Sequence, residues 1–403
     1  MKPSGIGGQA VIEGVMMKNK ESYAVAVRKP NNEIEIVTNT YRSLTTKNKF
    51  FGLPIVRGVV SFIDSLVLGT RTLTYSATFF EDEEVLPDEE MRLQSLSENI
   101  ENNENNKAKK AKKAKAEKAK EKHVELSADE KAKEKEKKER NDAIFMGLTV
   151  ALSAVVAVGI FILLPLWLSN LLASRISSNT VLAILEGLIR LSIFMLYIVG
   201  ISRMRDIQRV FMYHGAEHKS INCIENGLEL TVENVKFQSK EHKRCGTSFM
   251  LFVIILSSIV FIFIRFDNFL LKTIMRLLLV PFIAGVAYEF IRLAGRSEAK
   301  VVSVLSRPGM WLQGMTTKEP TDDMIEVAIA SVGAVFDWKS FIEEVRIEQM
   351  PHEQVIQEAD DAIAKAFEES APTTENEEFE DDEDEEDDEI LKALDKYFIY
   401  KSK

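Results

Sequence analysis

The residues with the densest chemistry are His214-Gly215-Ala216-Glu217-His218, an H-x-x-E-H pattern. On a helix, positions i and i+4 share a face. Both imidazoles can then reach one metal ion, while Glu217 lies near enough to act as a base toward water. Inverted zinc proteases carry the same pattern. His242 and Cys245 follow in His242-Lys243-Arg244-Cys245, so three of the five histidines fall within 29 residues. A structural zinc site closes with four N and S ligands, whereas a catalytic one keeps three and leaves a position for water. His214 and His218 with either His242 or Cys245 meet the second description, and all four together meet the first. Cys223 and Glu225 are reserve ligands, although Cys223 reads equally well as a small buried residue. The expected cofactor is a divalent metal, with zinc suited to these donors.

These residues sit in a polar loop between long apolar runs. The first run, Ala143 to Ala173, lies in a charge-free stretch bounded by Asp142 and Arg175. The second, Val181 to Ile201, carries only Glu186 and Arg190. The third, Cys245 to Ile264, is uncharged, and the fourth, Phe269 to Phe290, carries Lys272, Arg276 and Glu289. About 20 apolar residues cross a bilayer core, so the expectation is a polytopic α-helical membrane protein with four spans. Nothing at the start resembles a cleavable signal, so the N-terminus is expected to be retained. Lys and Arg collect before the first run, in the loop 202–247 and after the fourth run, while only Arg175 separates the first two. Both termini and the loop are therefore expected in the cytoplasm, and the third-to-fourth turn, around Arg265 and Asp267, outside it. On the reducing side, the two cysteines point to thiol or metal chemistry rather than a disulfide.

Charges inside spans need partners or a purpose. Glu186 and Arg190 stand at i and i+4, in the favourable order for a local ion pair, and they fit either a self-neutralised pair or a polar path. Glu289 ends the fourth run and fits either a carboxylate ligand for the His214 region or a partner of Arg292. Ahead of the spans, residues 1–50 read as a small β unit. Tyr23 to Val27 and Glu33 to Val37 alternate across a Pro30-Asn31-Asn32 turn. Gly5 to Ala10 matches a dinucleotide fingerprint only superficially, because no strand precedes it. Its glycines are expected to permit close backbone approach near Glu13, on a loop over the site. Residues 51–80 read as an amphipathic or re-entrant helix with Arg57, Asp64 and Arg71 near one face.

Residues 81–142 form a charged Lys-rich tether, 143–291 the membrane region, 292–350 a cytoplasmic segment, and 351–403 an acidic tail ending in an apolar stretch, 391–400. The net charge of −11 comes entirely from the tail and the tether. Residues 353–389 hold nineteen acids against one lysine, and 107–140 hold fifteen bases against eight acids. The overall charge is thus no argument for nucleic acid, which is not expected as a partner.

Several blocks together resemble one family: Gly7 to Met17, His214 to Lys219, Arg244 to Phe249, Tyr288-Glu289, Pro308 to Gln313 and Thr316 to Pro320. The chain is similar to the YqhQ-like bacterial membrane proteins, a domain-of-unknown-function family described as predicted metal-dependent enzymes. The resemblance runs from about residue 4 to about residue 335, around the Lys-rich insert. It implies His214, Glu217, His218, His242 and Cys245 as the metal and reaction centre, with Glu13 and Glu289 as accessory residues. It implies no substrate. Lys243 stands where the family commonly has proline, which leaves both candidate ligands in place. The leading expectation is a metal-dependent hydrolase of the bacterial inner membrane, with Glu217 as general base acting at the cytoplasmic interface. The alternative is a non-enzymatic scaffold with a structural metal site, whose charged tails recruit cytoplasmic proteins. A transporter built on Glu186 and Arg190 has four spans without visible inverted repeats against it.

Overall fold

The computed structural model describes residues 2–80 and 144–349, apart from 146, 265, 267 and 298. The expected tether, acidic tail and turn residues Arg265 and Asp267 lie outside the described residues.

The N-terminal unit is a four-stranded antiparallel meander of β1 (Gly7–Val11), β2 (Gly14–Asn19), β3 (Ser22–Arg28) and β4 (Ile34–Thr40). The anticipated hairpin is β3–β4, with Val25 opposite Val37. Gly7 to Ala10, expected as a loop, is instead strand, pairing with β2 across Ile12-Glu13, where Glu13 adopts a φ of 48°. The sheet is covered on both faces, which explains the nearly continuous apolar runs Val15-Met16-Met17 and Tyr23 to Val27. Val15, Met17 and Ala26 pack toward the helix that carries the His motif. Val11, Met16, Tyr23, Val25 and Val27 pack on Leu68 and Tyr75 of α1 (Val56–Ala77).

On α1, Asp64 is buried and accepts hydrogen bonds from Tyr41, Ser43 and the Leu44 backbone. Arg57 pairs in bidentate fashion with Glu289, at 2.6 Å for both bonds. A Cβ on Gly58 would lie 2.9 Å from the Gly285 backbone, so the helix is seated closely on α7 (Phe269–Ala294). Its other side exposes Ile63, Leu66 and Val67.

Three helices are long and apolar enough to cross a membrane: α2 (Gly147–Leu171, with a π-helical turn at Gly159–Leu163), α3 (Asn179–Ile201) and α7. The remaining expected span is α6 (Gly246–Ile262), whose 17 residues make about 25 Å of helix against a hydrocarbon core of about 30 Å. Cys245 caps the helix with its sulfur, accepting from the Thr247 backbone N–H, and is not itself helical. Phe194 and Ile198 of α3 pack with Leu251 and Ile254 of α6 and Leu312 of α8 (Lys300–Thr316).

Between the α3 and α6 sequences runs α4 (Arg205–Glu225), followed by the short α5 (Val232–Lys236). From Gly215 to Glu225 every residue of α4 is buried, enclosed by β1, β2, α9 (Asp322–Gly333) and α10 (Trp338–Gln349). This helix holds the candidate site.

Candidate metal centre

Helix α4 presents His214 and His218 one turn apart, with ring centroids separated by 4.3 Å. Cys245 approaches from the start of α6, its Sγ 3.3 Å from His214 Nε2. One donor atom from each of the three lies within 4.8 Å of the others. The outer ring nitrogens are engaged by main chain: His214 Nδ1 with the Thr316 carbonyl at 3.0 Å and His218 Nδ1 with the Lys240 carbonyl at 2.7 Å. A carbonyl only accepts, so each Nδ1 donates when the ring is neutral. Nε2 then keeps its lone pair directed inward, the second-sphere arrangement of metal-ligating histidines.

Glu217 lies between these two histidines in sequence and is buried against β1. The Gly8 backbone N–H donates to its carboxylate, while Oε2 is buried with no hydrogen-bond partner. Burial pushes the Glu217 carboxyl up, with His214 and His218 opposing. Burial pulls the His214 imidazole down, but Cys245 and Glu217 outweigh it and hold the group at about 9. Burial likewise raises the Cys245 thiol, yet His214 and His218 hold it well below the usual thiol range. Two nitrogens, one sulfur and an orphaned carboxylate oxygen thus share one enclosure, a donor set that fits zinc.

His242 is close, its ring centroid 5.7 Å from that of His218, but it turns toward Glu225, with Nε2 and Oε2 3.5 Å apart. Gln313 pins it there. Its Oε1 accepts from the His242 N–H at 2.8 Å, and its Nε2 donates to the His242 carbonyl at 2.9 Å. Glu225 is engaged by Ser4, His242 and Arg244. Cys223 is fully buried and donates toward the Leu228 and Glu229 carbonyls. Neither reserve ligand joins the cluster.

The accessory residues are dispersed as well. Glu13 pairs with Arg209 and accepts from Tyr213 at 3.3 Å, with burial and then Glu13 pushing the Tyr213 hydroxyl up. Glu289 belongs to Arg57 rather than to the His214 region or Arg292. Glu186 and Arg190 form the anticipated pair at 2.7 Å, inside the helical bundle. Gln313, Gly8 and the Thr316 and Lys240 carbonyls escape the residue-type reading. Gly8, Gln313 and Thr316 lie within blocks already carrying the family resemblance, while Lys240 has no sequence signal at all.

A cavity of about 510 Å³ opens beside the cluster. His214, Glu217, His218 and Cys245 are among its lining residues. Its walls include Phe62 and Ser65 of α1, Phe249 and Met250 of α6, and Tyr288 and Ile291 of α7. The cluster therefore faces the ends of apolar helices.

The model of a protein family described as "Protein of unknown function (DUF1385)" matches residues 53–338. The "Uncharacterized protein YqhQ" of Bacillus subtilis (strain 168) is 32% identical over 357 residues, covering 88% of this chain and 98% of that protein. No solved structure matches. The shared region holds the His/Cys cluster, the apolar helices and the Gln313 to Pro320 segment that supports the histidines, and the chain belongs to the YqhQ-like DUF1385 family.

Proposed function

We propose that this protein is a metal-dependent hydrolase of the bacterial inner membrane, acting on a lipid-linked substrate at the cytoplasmic interface. The observation that carries the reading is the three-donor set of His214, His218 and Cys245 beside a buried carboxylate oxygen without a partner. Three ligands leave a coordination position open, and the His242 ring, turned toward Glu225, would have to leave that carboxylate to close it. That distinguishes this reading from a scaffold with a saturated structural site.

His214 and His218, oriented by the Thr316 and Lys240 carbonyls, would hold the ion with Cys245. A divalent ion in such a site supplies Lewis-acid polarisation of the scissile group and of water. Glu217, whose carboxyl burial pushes up, takes the proton from the attacking water and returns it to the leaving group. Gly8 fixes its carboxylate by a main-chain hydrogen bond, so Oε2 is the oxygen left for that exchange. The apolar side chains from α1, α6 and α7 suit the hydrocarbon part of an amphiphile. The reading takes α6 as a fourth, shorter span. It places both termini and the 202–247 loop in the cytoplasm, in keeping with the clustering of Lys and Arg.

Elemental mass spectrometry of the detergent-purified protein tests this. About one equivalent of a transition metal in the wild type, absent from a His214→Ala/His218→Ala double variant, is the expected result. No metal in either sample after zinc reconstitution would remove the hydrolase reading.

A further inference from the structure

At the opposite end of the helical bundle from the His/Cys cluster, a cavity of about 80 Å³ lies among the ends of α2, α3, α6 and α7. Ser169, Asn170, Asn179, Lys272 and Arg276 supply its polar lining. Arg276 is completely buried, and its Nη1 donates to Glu186 Oε1, while Nε and Nη2 have no hydrogen-bond partner. Glu186 does not neutralise it alone. The same Oε1 accepts from Arg190 Nη2 at 2.7 Å, and Arg190 is otherwise satisfied by the Phe161 carbonyl at 2.9 Å. Both guanidinium groups also lie 4.9 Å from the Phe261 ring, an arrangement that eases a buried cation without cancelling its charge. Lys272 stands one turn before Arg276 on α7. Among the described residues, the ion pairs of this region involve Glu186 as their sole acid.

Among the described residues, three cations and one carboxylate leave an excess of positive charge at the depth of apolar helices, where uncompensated charge is costly. Arg276 also offers two adjacent free donors, the fork that suits an oxyanion. We propose that this cavity binds a phosphate-type oxyanion, held by Arg276 and Lys272, with Ser169, Asn170 and Asn179 lining its polar side. The space suffices for several waters or for one tetrahedral anion. The phosphate has two sources, a free ion or a phospholipid headgroup whose chains lie along the bundle. This site does not depend on the hydrolase reading.

Thermal unfolding of the full chain in neutral detergent separates the outcomes. One arm compares sodium phosphate with sodium chloride at matched ionic strength. The other compares short-chain phosphatidylglycerol with diacylglycerol of the same chain length. A rise in Tm of a few degrees is expected in at least one arm. A phosphate response identifies a free anion, and a response confined to phosphatidylglycerol identifies a headgroup. The rise should fall to half or less in Lys272→Gln, which breaks no ion pair among the described residues, and vanish in Arg276→Gln if that variant folds. Equal shifts in wild type and Lys272→Gln, or no shift in either arm, would overturn the proposal.

Discussion

Glu217 and Glu225 are both buried carboxylates on α4, yet their surroundings drive them in opposite directions. Burial pushes Glu217 up and its neighbours only partly oppose it. Glu217→Gln is therefore expected to keep about one equivalent of metal while losing hydrolysis by roughly 10²–10⁴-fold, the usual contribution of a general base. Metal content and turnover measured on one preparation check this, and loss of metal from the variant would count against the assigned role. At Glu225 burial also pushes upward, but His242, Arg244 and Ser4 outweigh it and hold the carboxyl at about 2, against an ordinary 4.5. A depressed carboxylate stabilises the fold above its unfolded value and loses that contribution as pH falls through the folded one. By linkage this amounts to something on the order of 3 kcal/mol, lost between about pH 4.5 and pH 2. Tm against pH should fall more steeply over that window in wild type than in Glu225→Gln, which starts lower at pH 7.

Helix α4 meets the segment after α8 with no spare room. A Cβ on Gly215 would lie 2.1 Å from the Lys318 carbonyl oxygen, and the Lys318 N–H donates to the Phe211 carbonyl at 2.9 Å. The Thr316 carbonyl that orients His214 ends α8 immediately before that segment. Gly215→Ala is thus expected to cost about 1–3 kcal/mol of stability and to weaken zinc roughly 10–100-fold by displacing Thr316. Thermal unfolding and competition with a chromophoric chelator check the two effects. Gly314→Ala, where nothing lies within 4 Å of the added carbon, should change neither. The placement of both histidines on one helical face is legible in the sequence because it follows from the 3.6-residue period. The carbonyls that orient them are not, because every residue carries one and only the chain path selects which is near.

Across the whole molecule, the sheet, α4, α9 and α10 gather on the side where α6 begins and α7 ends, and the Arg276 cavity lies on the other. The proposed orientation predicts that a cysteine replacing Ser177, between α2 and α3, reacts with a membrane-impermeant maleimide added to intact cells. A cysteine replacing Lys243 should react only after permeabilisation. The native Cys223 and Cys245 are both buried, so background labelling should be low. The reverse pattern would invert the topology and place the His/Cys cluster outside the cell.

Local period and composition were enough for much of this protein. The apolar runs are legible as α2, α3 and α7, the alternation as β3–β4, the H-x-x-E-H spacing as a two-histidine face, and Glu186–Arg190 as an ion pair, because each depends on residues a few positions apart. Tertiary structure decided what depends on distant segments meeting. It joined Cys245 rather than His242 to the histidines, because the His242 ring turns to Glu225. It gave Glu289 to Arg57 and Glu13 to Arg209, and it brought Arg276 onto the already paired Glu186. Gly7 to Ala10 became a strand because a neighbouring strand and two covering layers were available, and no local propensity reports that.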